Sequence, residues 1–93
     1  MDFEWDETKA AANLGKHGIA FEYAVRAFDD PDALDFDVSR VADSENRRKI
    51  VGMIEEKMFT VVYVMRKGAC RIISARRSNR AEERAYGDHP ICS

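Results

Sequence analysis

Long apolar segments and cysteine-rich motifs are both missing from this chain. No run of about 18 apolar residues, the length of a membrane-spanning helix, occurs among its 93 residues. The first residues are acidic and include no apolar core, so we expect no signal peptide. Two cysteines, Cys70 and Cys92, are too few for a disulfide framework. The sequence predicts a cytoplasmic protein with free thiols and no membrane contact.

Motifs for metal ions and for phosphate-binding glycine loops are also absent. His17 and His89 stand apart, and neither H-x-x-x-H nor C-x-x-C occurs. The five glycines are scattered instead of forming a loop motif. We therefore expect no metal site and no cofactor.

The charge is divided unevenly along the chain, although the formal net charge is only −2. Residues 1–45 carry four bases and twelve acids, a balance of −8. Residues 46–93 carry eleven bases and five acids, a balance of +6. A basic half in a small protein favours a polyanionic partner, most often a nucleic acid.

The length predicts a single domain, residues 1–93. Its first third is expected to be mainly helical. Phe3 and Trp5 suit a short first strand. Asp6 is a suitable N-cap for a helix over about residues 7–16, which Gly18 would end. Its predicted inner face is Ala10, Ala11 and Leu14. A second helix is expected over about residues 21–29, before Pro31, with Phe21, Ala24, Val25 and Phe28 as its core stripe.

The rest of the chain has the two-residue period of strands. Segments 33–38, 47–54, 59–66 and 70–76 are the predicted strands, with a polar loop over 40–46 and hairpin links at 55–58 and 67–69. Ser78 would cap a last helix ending near Tyr86. The predicted fold class is α+β, an antiparallel sheet with two N-terminal helices and one C-terminal helix in the order β-α-α-β-β-β-β-α.

The segment Thr60–Met65 is apolar at both alternating positions, which is typical of a strand buried on both faces. Either the last helix or another chain would cover its second face. Both alternatives stay open at this point.

The available side chains suit metal-free RNA cleavage, in which the ribose 2′-OH attacks the adjacent phosphate. Arginine can hold the negative charge of the phosphorane, and histidine, lysine or tyrosine can transfer the protons. Hairpin register would gather Arg47, Arg66 and Arg71 at one sheet end and place Arg76 near Thr60 and Met53 at the other. Arg76, Arg80 and Arg84 could form one ridge, since they are four residues apart. The predicted RNA-binding residues are Arg66, Arg71, Arg77 and Arg80, although solvated surface arginine is the common alternative.

Several segments in the same order resemble the BrnT family of bacterial type II toxins. They are Phe3–Asp6, Lys16-His17-Gly18-Ile19 with Phe21-Glu22, Phe28–Pro31, Arg47 five residues before Gly52, Arg71–Arg76, and Glu83-Arg84 with Tyr86. Two details differ from the family pattern: Ala20 replaces a hydroxyl-bearing cap, and the turn 66–69 is short and lacks a more polar stretch.

The resemblance implies a RelE-like ribonuclease fold and a toxin that cuts RNA and blocks translation, with RNA, either free or ribosome-bound, as its substrate. It also implies a BrnA-like antitoxin with a ribbon-helix-helix domain, in a hetero-oligomer that binds promoter DNA. The catalytic residues implied by the match are Lys16, His17, Arg47, Arg76, Arg84 and Tyr86. Two other functions fit the charge pattern: a non-catalytic RNA- or ribosome-binding module, and an interaction protein that assembles through its oppositely charged halves.

Overall fold

A five-stranded sheet with three α-helices and one 3₁₀ helix forms the part of the chain, residues 1–39 and 45–87, that this computed structural model describes. His89, Cys92 and most of the predicted loop 40–46 lie outside these residues. The elements are β1 (Asp2–Glu4), α1 (Glu7–His17), α2 (Phe21–Ala24), the 3₁₀ helix (Val25–Asp29), β2 (Leu34–Asp37), β3 (Arg47–Ile54), β4 (Lys57–Arg66), β5 (Ala69–Arg77) and α3 (Arg80–Gly87). None of the helices within the described residues is long and apolar enough to cross a bilayer.

The sheet has the strand order β1-β5-β4-β3-β2 and is mixed. Strands β2 to β5 pair antiparallel, whereas β1 pairs parallel with β5, with Phe3 beside Cys70. The prediction of a purely antiparallel sheet is therefore wrong at β1. Hairpin signals concern strands that follow each other in sequence, and β1 pairs with a strand more than 60 residues away.

Helix α1 has the predicted ends but a different buried face. Asp6 caps its start by accepting hydrogen bonds from the N–H groups of Thr8 and Lys9, and Gly18 ends it in the left-handed region at φ 70°. Asn13 is its buried residue, whereas Leu14 is 51% exposed. The predicted inner positions of Ala11 and Leu14 are thus wrong, whereas Ala10 packs against the core as predicted.

The predicted second helix divides into α2 and the 3₁₀ helix. Phe21 and Ala24 of α2 and Ala27 of the 3₁₀ helix, each three residues after the last, are all completely buried. Val25 and Phe28, expected in the core stripe from a period of 3.6, are only partly buried against it. Ala27 approaches β3 so closely that a Cβ on Gly52 would lie 2.6 Å from its carbonyl oxygen. Glycine is therefore required at position 52.

The sheet has two unequal faces. Helices α1 and α2 and the 3₁₀ helix pack on the first face, where the core includes Ile50, Val61 and Ile72. Helix α3 packs against β3 on part of the second face. Strand β4 is consequently buried on both sides, with Val61 and Thr60 each at 0% exposure. The last helix thus covers this face at Thr60, whereas Val62 on the same strand is only partly buried.

Both central hairpins close through two residues in left-handed conformation. Glu55 and Glu56 (φ 51° and 70°) join β3 to β4, and Lys67 and Gly68 (φ 52° and 81°) join β4 to β5. Because the Glu55-Glu56 turn has only two residues, β4 starts at Lys57, two residues earlier than predicted.

The shorter turn changes the predicted register. Arg47 lies opposite Val64 instead of Arg66, and Arg66 lies opposite Ala69. Arg76 lies opposite Thr60 as predicted, although the β3 residue at that level is Val51 and not Met53.

We expect Glu56→Gly to raise the free energy of unfolding by about 0.5–1 kcal/mol. Glycine adopts positive φ without the steric cost that a Cβ imposes, and this gain exceeds its larger entropy loss on folding. Glu83→Gly in α3 is the matched control, because its right-handed helical position should make the same substitution destabilising by about 1 kcal/mol. Chemical denaturation of both variants measures the difference, and equal signs for the two changes would contradict the turn geometry.

Candidate active site

The buried amide of Asn13 fixes the end of α1 against the sheet. Its Nδ2 donates to the carbonyl oxygens of Ile19 (3.0 Å) and Ala75 (2.9 Å), and its Oδ1 accepts from the Ala75 N–H (3.0 Å). The Asn13 side chain thus forms hydrogen bonds with both backbone polar groups of Ala75 at the edge of β5, as a neighbouring strand would. Lys16 and His17 follow in the last turn of the helix, so they lie beside β5 in a fixed position.

One open groove, of about 520 Å³, lies between the C-terminal end of α1 and the end of the sheet where β4 begins and β5 ends. His17 and Leu14 line it from the helix, Tyr23 lines it from α2, and Lys57 and Arg77 line it from β4 and β5. The two-residue turn before Lys57 brings this lysine onto the sheet.

A second, smaller groove of about 240 Å³ follows the edge of β5. Lys9, Lys16 and His17 line it from α1, and Ile73 and Ser74 line it from β5. Because His17 borders both cavities, we call them together the His17 grooves.

The described residues that line the His17 grooves include several positive side chains and no carboxylate. Their cationic lining residues are Lys9, Lys16, Lys57 and Arg77. No carboxylate is among the lining residues that belong to the described part of the chain, and none of the four cations forms an ion pair within it. Such a concavity raises the local concentration of anions.

Most other arginines of the described chain are already paired with carboxylates. The pairs are Arg26–Glu55, Arg48–Asp35, Arg66–Glu45, Arg71–Glu4 and Arg76–Glu82. Four of the pairs join the two halves of the chain, and in three of these, at Arg48, Arg66 and Arg71, the arginine belongs to the basic half. These pairs therefore offset part of the uneven charge, whereas the cations that line the His17 grooves form no ion pair within the described residues.

The side chains of Arg77 and Tyr23, which line the larger groove, are held by contacts with neighbouring residues. The guanidinium of Arg77 lies 5.4 Å from the centre of the Phe59 ring, and its Nε donates to the Met58 carbonyl oxygen at 3.3 Å. The Tyr23 hydroxyl donates to Glu55 at 3.2 Å. Burial and the nearby Glu55 carboxylate raise the pKa of Tyr23, so the phenol stays protonated at neutral pH.

Arg76, predicted as catalytic, is engaged on the second face of the sheet. Its two terminal nitrogens donate to the two oxygens of Glu82, each at 2.8 Å. Burial alone would raise the pKa of the Glu82 carboxyl, but hydrogen bonds from Arg76, Lys49, the Asn79 N–H and Thr60 outweigh it and hold this pKa well below its usual value. Arg76 is two residues from Ser74 along β5, so it lies close to the smaller groove but is not among the residues that line it.

The predicted cluster of Arg47, Arg66 and Arg71 forms at the other end of the sheet. Arg47 and Arg71 flank Val64 on neighbouring strands, and all three guanidiniums lower the pKa of Glu45, Arg66 most strongly through hydrogen bonds. Five residues along β5 separate Arg71 from Arg76, a distance of roughly 16 Å. The structure therefore contains two separate basic regions, as the sequence predicts.

The predicted residues of α3 lie apart from the His17 grooves. Arg80 and Arg84 are exposed, and Tyr86 donates to Asp30 at 2.7 Å near the start of β2. The N-cap of α3 is Asn79 and not Ser78, because the Asn79 side chain accepts from the Glu82 N–H. Ser78 instead bonds to Thr60 at 2.8 Å.

Sequence reasoning missed Lys9 and Lys57 as candidate site residues and gave Arg77 only an RNA-binding role. The sequence predicts a loop position for Lys57, since Glu55-Glu56 is not a usual pair for a two-residue hairpin turn. Lys9 lies seven residues, or about two helical turns, before Lys16, and this spacing is the available signal.

The arrangement places an imidazole, which can transfer protons, next to several cations that can bind a phosphate. An imidazole lies between two groups of cationic side chains, so a polyanion crossing from one groove to the other passes His17. Within residues 1–39 and 45–87, no group of three or more His, Cys, Asp and Glu side chains could hold a metal ion.

Comparison with known proteins identifies the family. Residues 5–82 match the family described as the ribonuclease toxin BrnT of type II toxin-antitoxin systems. This match covers most of the chain and includes the His17 grooves, and it ends before Arg84 and Tyr86. A comparison with curated protein sequences finds no significant match. The chain therefore belongs to the BrnT family of type II ribonuclease toxins.

Proposed function

We propose that this toxin cuts RNA in the His17 grooves by attack of a ribose 2′-OH on the adjacent phosphate, without a metal ion. The observation that carries the proposal is the clustering of Lys9, Lys16, Lys57 and Arg77 around His17, with no carboxylate among the described lining residues. This chemistry needs cations for the phosphorane and groups that transfer protons, and the grooves offer both.

In the proposed mechanism, His17 removes the 2′-OH proton while the 2′-oxygen forms a bond to phosphorus. The bond from phosphorus to the 5′-oxygen then breaks, and Lys16, beside His17, donates a proton to that oxygen. The products are a 2′,3′-cyclic phosphate and a free 5′-hydroxyl. Arg77 and Lys57 hold the extra negative charge of the phosphorane, and a guanidinium fixed by Phe59 and Met58 needs little reorganisation to do so.

The catalytic set proposed from the structure differs from the one implied by the family resemblance. Lys16 and His17 belong to both sets, and Arg77 moves into the catalytic set from the predicted RNA-binding residues. Arg47, Arg66 and Arg71 are proposed to contact a distal stretch of RNA or a partner. Arg80 and Arg84 are proposed as further RNA contacts on the exposed surface of α3.

Membership of a type II toxin family implies RNA as the substrate and an antitoxin as the partner. We further propose a RelE-like architecture, inhibition of translation in the cytoplasm, and a BrnA-like antitoxin with a ribbon-helix-helix domain. The two proteins would form a hetero-oligomer that binds promoter DNA. Co-expression with the adjacent small open reading frame tests the antitoxin, since growth should recover only when both genes are present.

The proposed chemistry predicts RNA cleavage by the pure protein in EDTA, with 2′,3′-cyclic phosphate ends. A substrate with a single 2′-deoxy position at the cleaved bond is the matched control and should remain intact, because it lacks the attacking hydroxyl. Gel analysis with end mapping of both substrates measures the outcome.

A requirement for divalent metal, or cleavage of the 2′-deoxy bond, would overturn the mechanism. Salt-dependent binding without strand scission would favour the alternative function, a non-catalytic RNA- or ribosome-binding module.

A further inference from the structure

The carboxylate of Glu82 occupies a cradle of hydrogen-bond donors on the second face of the sheet. The side chain is 5% exposed, and five donors bind it at 2.8–2.9 Å. The donors are the two terminal nitrogens of Arg76, Lys49 Nζ, the Thr60 hydroxyl and the Asn79 N–H. Four of them come from the sheet and one from the cap of α3.

This cradle contains more positive charge than its occupant neutralises. Arg76 and Lys49 contribute two cations, and Glu82 contributes one carboxylate. A planar arginine fork, an ammonium and a hydroxyl converging on one point are the groups that proteins use to bind phosphate. The surplus charge favours an occupant with more negative charge than a carboxylate.

Helix α3, which carries Glu82, is short, and polar side-chain contacts at Glu82 and Tyr86 hold it to the rest of the protein. It spans Arg80–Gly87, and Arg80, Ala81, Glu83 and Arg84 are exposed. An apolar groove of about 330 Å³ separates Ala81 and Ala85 from Phe36 and Val38, so the helix is not closely packed on this side. A short helix of this kind opens at low free energy compared with a core strand.

We propose that the side chains of Arg76, Lys49 and Thr60 form a phosphate-binding site and that Glu82 is its internal, displaceable occupant. When α3 detaches, a phosphate group replaces the carboxylate on the sheet. The inference does not depend on catalysis in the His17 grooves, because it concerns binding on the other face of the sheet.

The test compares Glu82→Gln with Glu45→Gln in inorganic phosphate and in chloride of equal ionic strength. Both substitutions remove one carboxylate from an arginine pair, but Glu45 pairs with the more exposed Arg66. We expect phosphate to raise the unfolding temperature of Glu82→Gln at a concentration about tenfold lower than that needed for Glu45→Gln, because no internal anion competes. Equal phosphate responses in the two variants would overturn the proposal.

Adding Arg76→Ala to Glu82→Gln should abolish the specific phosphate response, and persistence of that response would also overturn the proposal. A short oligodeoxythymidylate, which cannot be cleaved, identifies the source of the phosphate group. An effect of the oligonucleotide assigns the site to a nucleic acid, and an effect of inorganic phosphate alone assigns it to a free phosphate. Both results support the site.

Hydrogen exchange on the unmodified protein provides a measurement that does not need a stable variant. Concentrated phosphate should accelerate exchange of the α3 amides relative to chloride and leave α1 unchanged, because displacement of Glu82 frees only α3. Identical α3 exchange in the two salts would count against a displaceable occupant.

Discussion

Replacement of His17 by alanine is expected to lower the rate of RNA cleavage by roughly 10²–10⁴-fold. The imidazole borders both basic grooves and is proposed to take the 2′-OH proton. The side chain is exposed at the end of α1, so the free energy of unfolding should change by less than about 0.5 kcal/mol. Single-turnover cleavage assays together with denaturation curves measure the two effects separately.

Arg84→Ala is the informative companion to His17→Ala. Arg84 is exposed on α3, outside the His17 grooves, although the family resemblance implies a catalytic role for it. We expect Arg84→Ala to change cleavage by only a few-fold, as loss of a peripheral RNA contact would. A large loss in Arg84→Ala with little loss in His17→Ala would relocate the active site to α3.

The second large effect is expected for Asn13→Ala, which should lower the free energy of unfolding by about 3 kcal/mol. The substitution leaves three buried backbone groups without their partners: the carbonyl oxygens of Ile19 and Ala75 and the Ala75 N–H. Burying an unsatisfied polar group is among the changes that destabilise proteins most. Chemical denaturation measures the loss.

Asn46→Ala is the matched control, because Asn46 is an exposed asparagine and its change should stay within about 0.5 kcal/mol. Cleavage by folded Asn13→Ala should also fall, since the amide positions Lys16 and His17 beside β5. Full activity at a temperature where this variant is folded would show that the Asn13 amide does not determine the position of Lys16 and His17.

Local signals in the sequence were sufficient to predict several elements of the fold. Asp6 and Gly18 define α1 because a side-chain cap and a left-handed glycine act within a few residues. The alternating pattern from Arg47 to Ile54 gives β3 with its observed ends.

The errors arise where a distant part of the chain decides the local structure. Asn13 is buried because Ala75, 62 residues away, needs a partner for its backbone, and Leu14 is exposed as a result. Glu55 and Glu56 adopt left-handed conformations, and Glu55 pairs with Arg26 of the preceding helical segment. Neither the Asn13–Ala75 contact nor the Glu55–Arg26 pair can be predicted from the periodicity of the sequence.

The same limit applies to the candidate site. The Lys16-His17 pair was found through the family resemblance, and both residues line the grooves. Lys57 becomes a candidate site residue only when the length of the β3–β4 turn is known, because that length decides whether Lys57 lies in the turn or on strand β4. Arg76 could be predicted as important from its segment, but its pairing with Glu82 depends on how α3 docks.

The parallel pairing of β1 with β5 has a consequence for synthesis of the toxin. The first strand can find its partner only after residues 69–71 have emerged from the ribosome, and α1 likewise needs Ala75. Contacts this distant in sequence form late in folding. An unfinished nascent chain thus lacks one wall of the larger groove until Arg77 has been added.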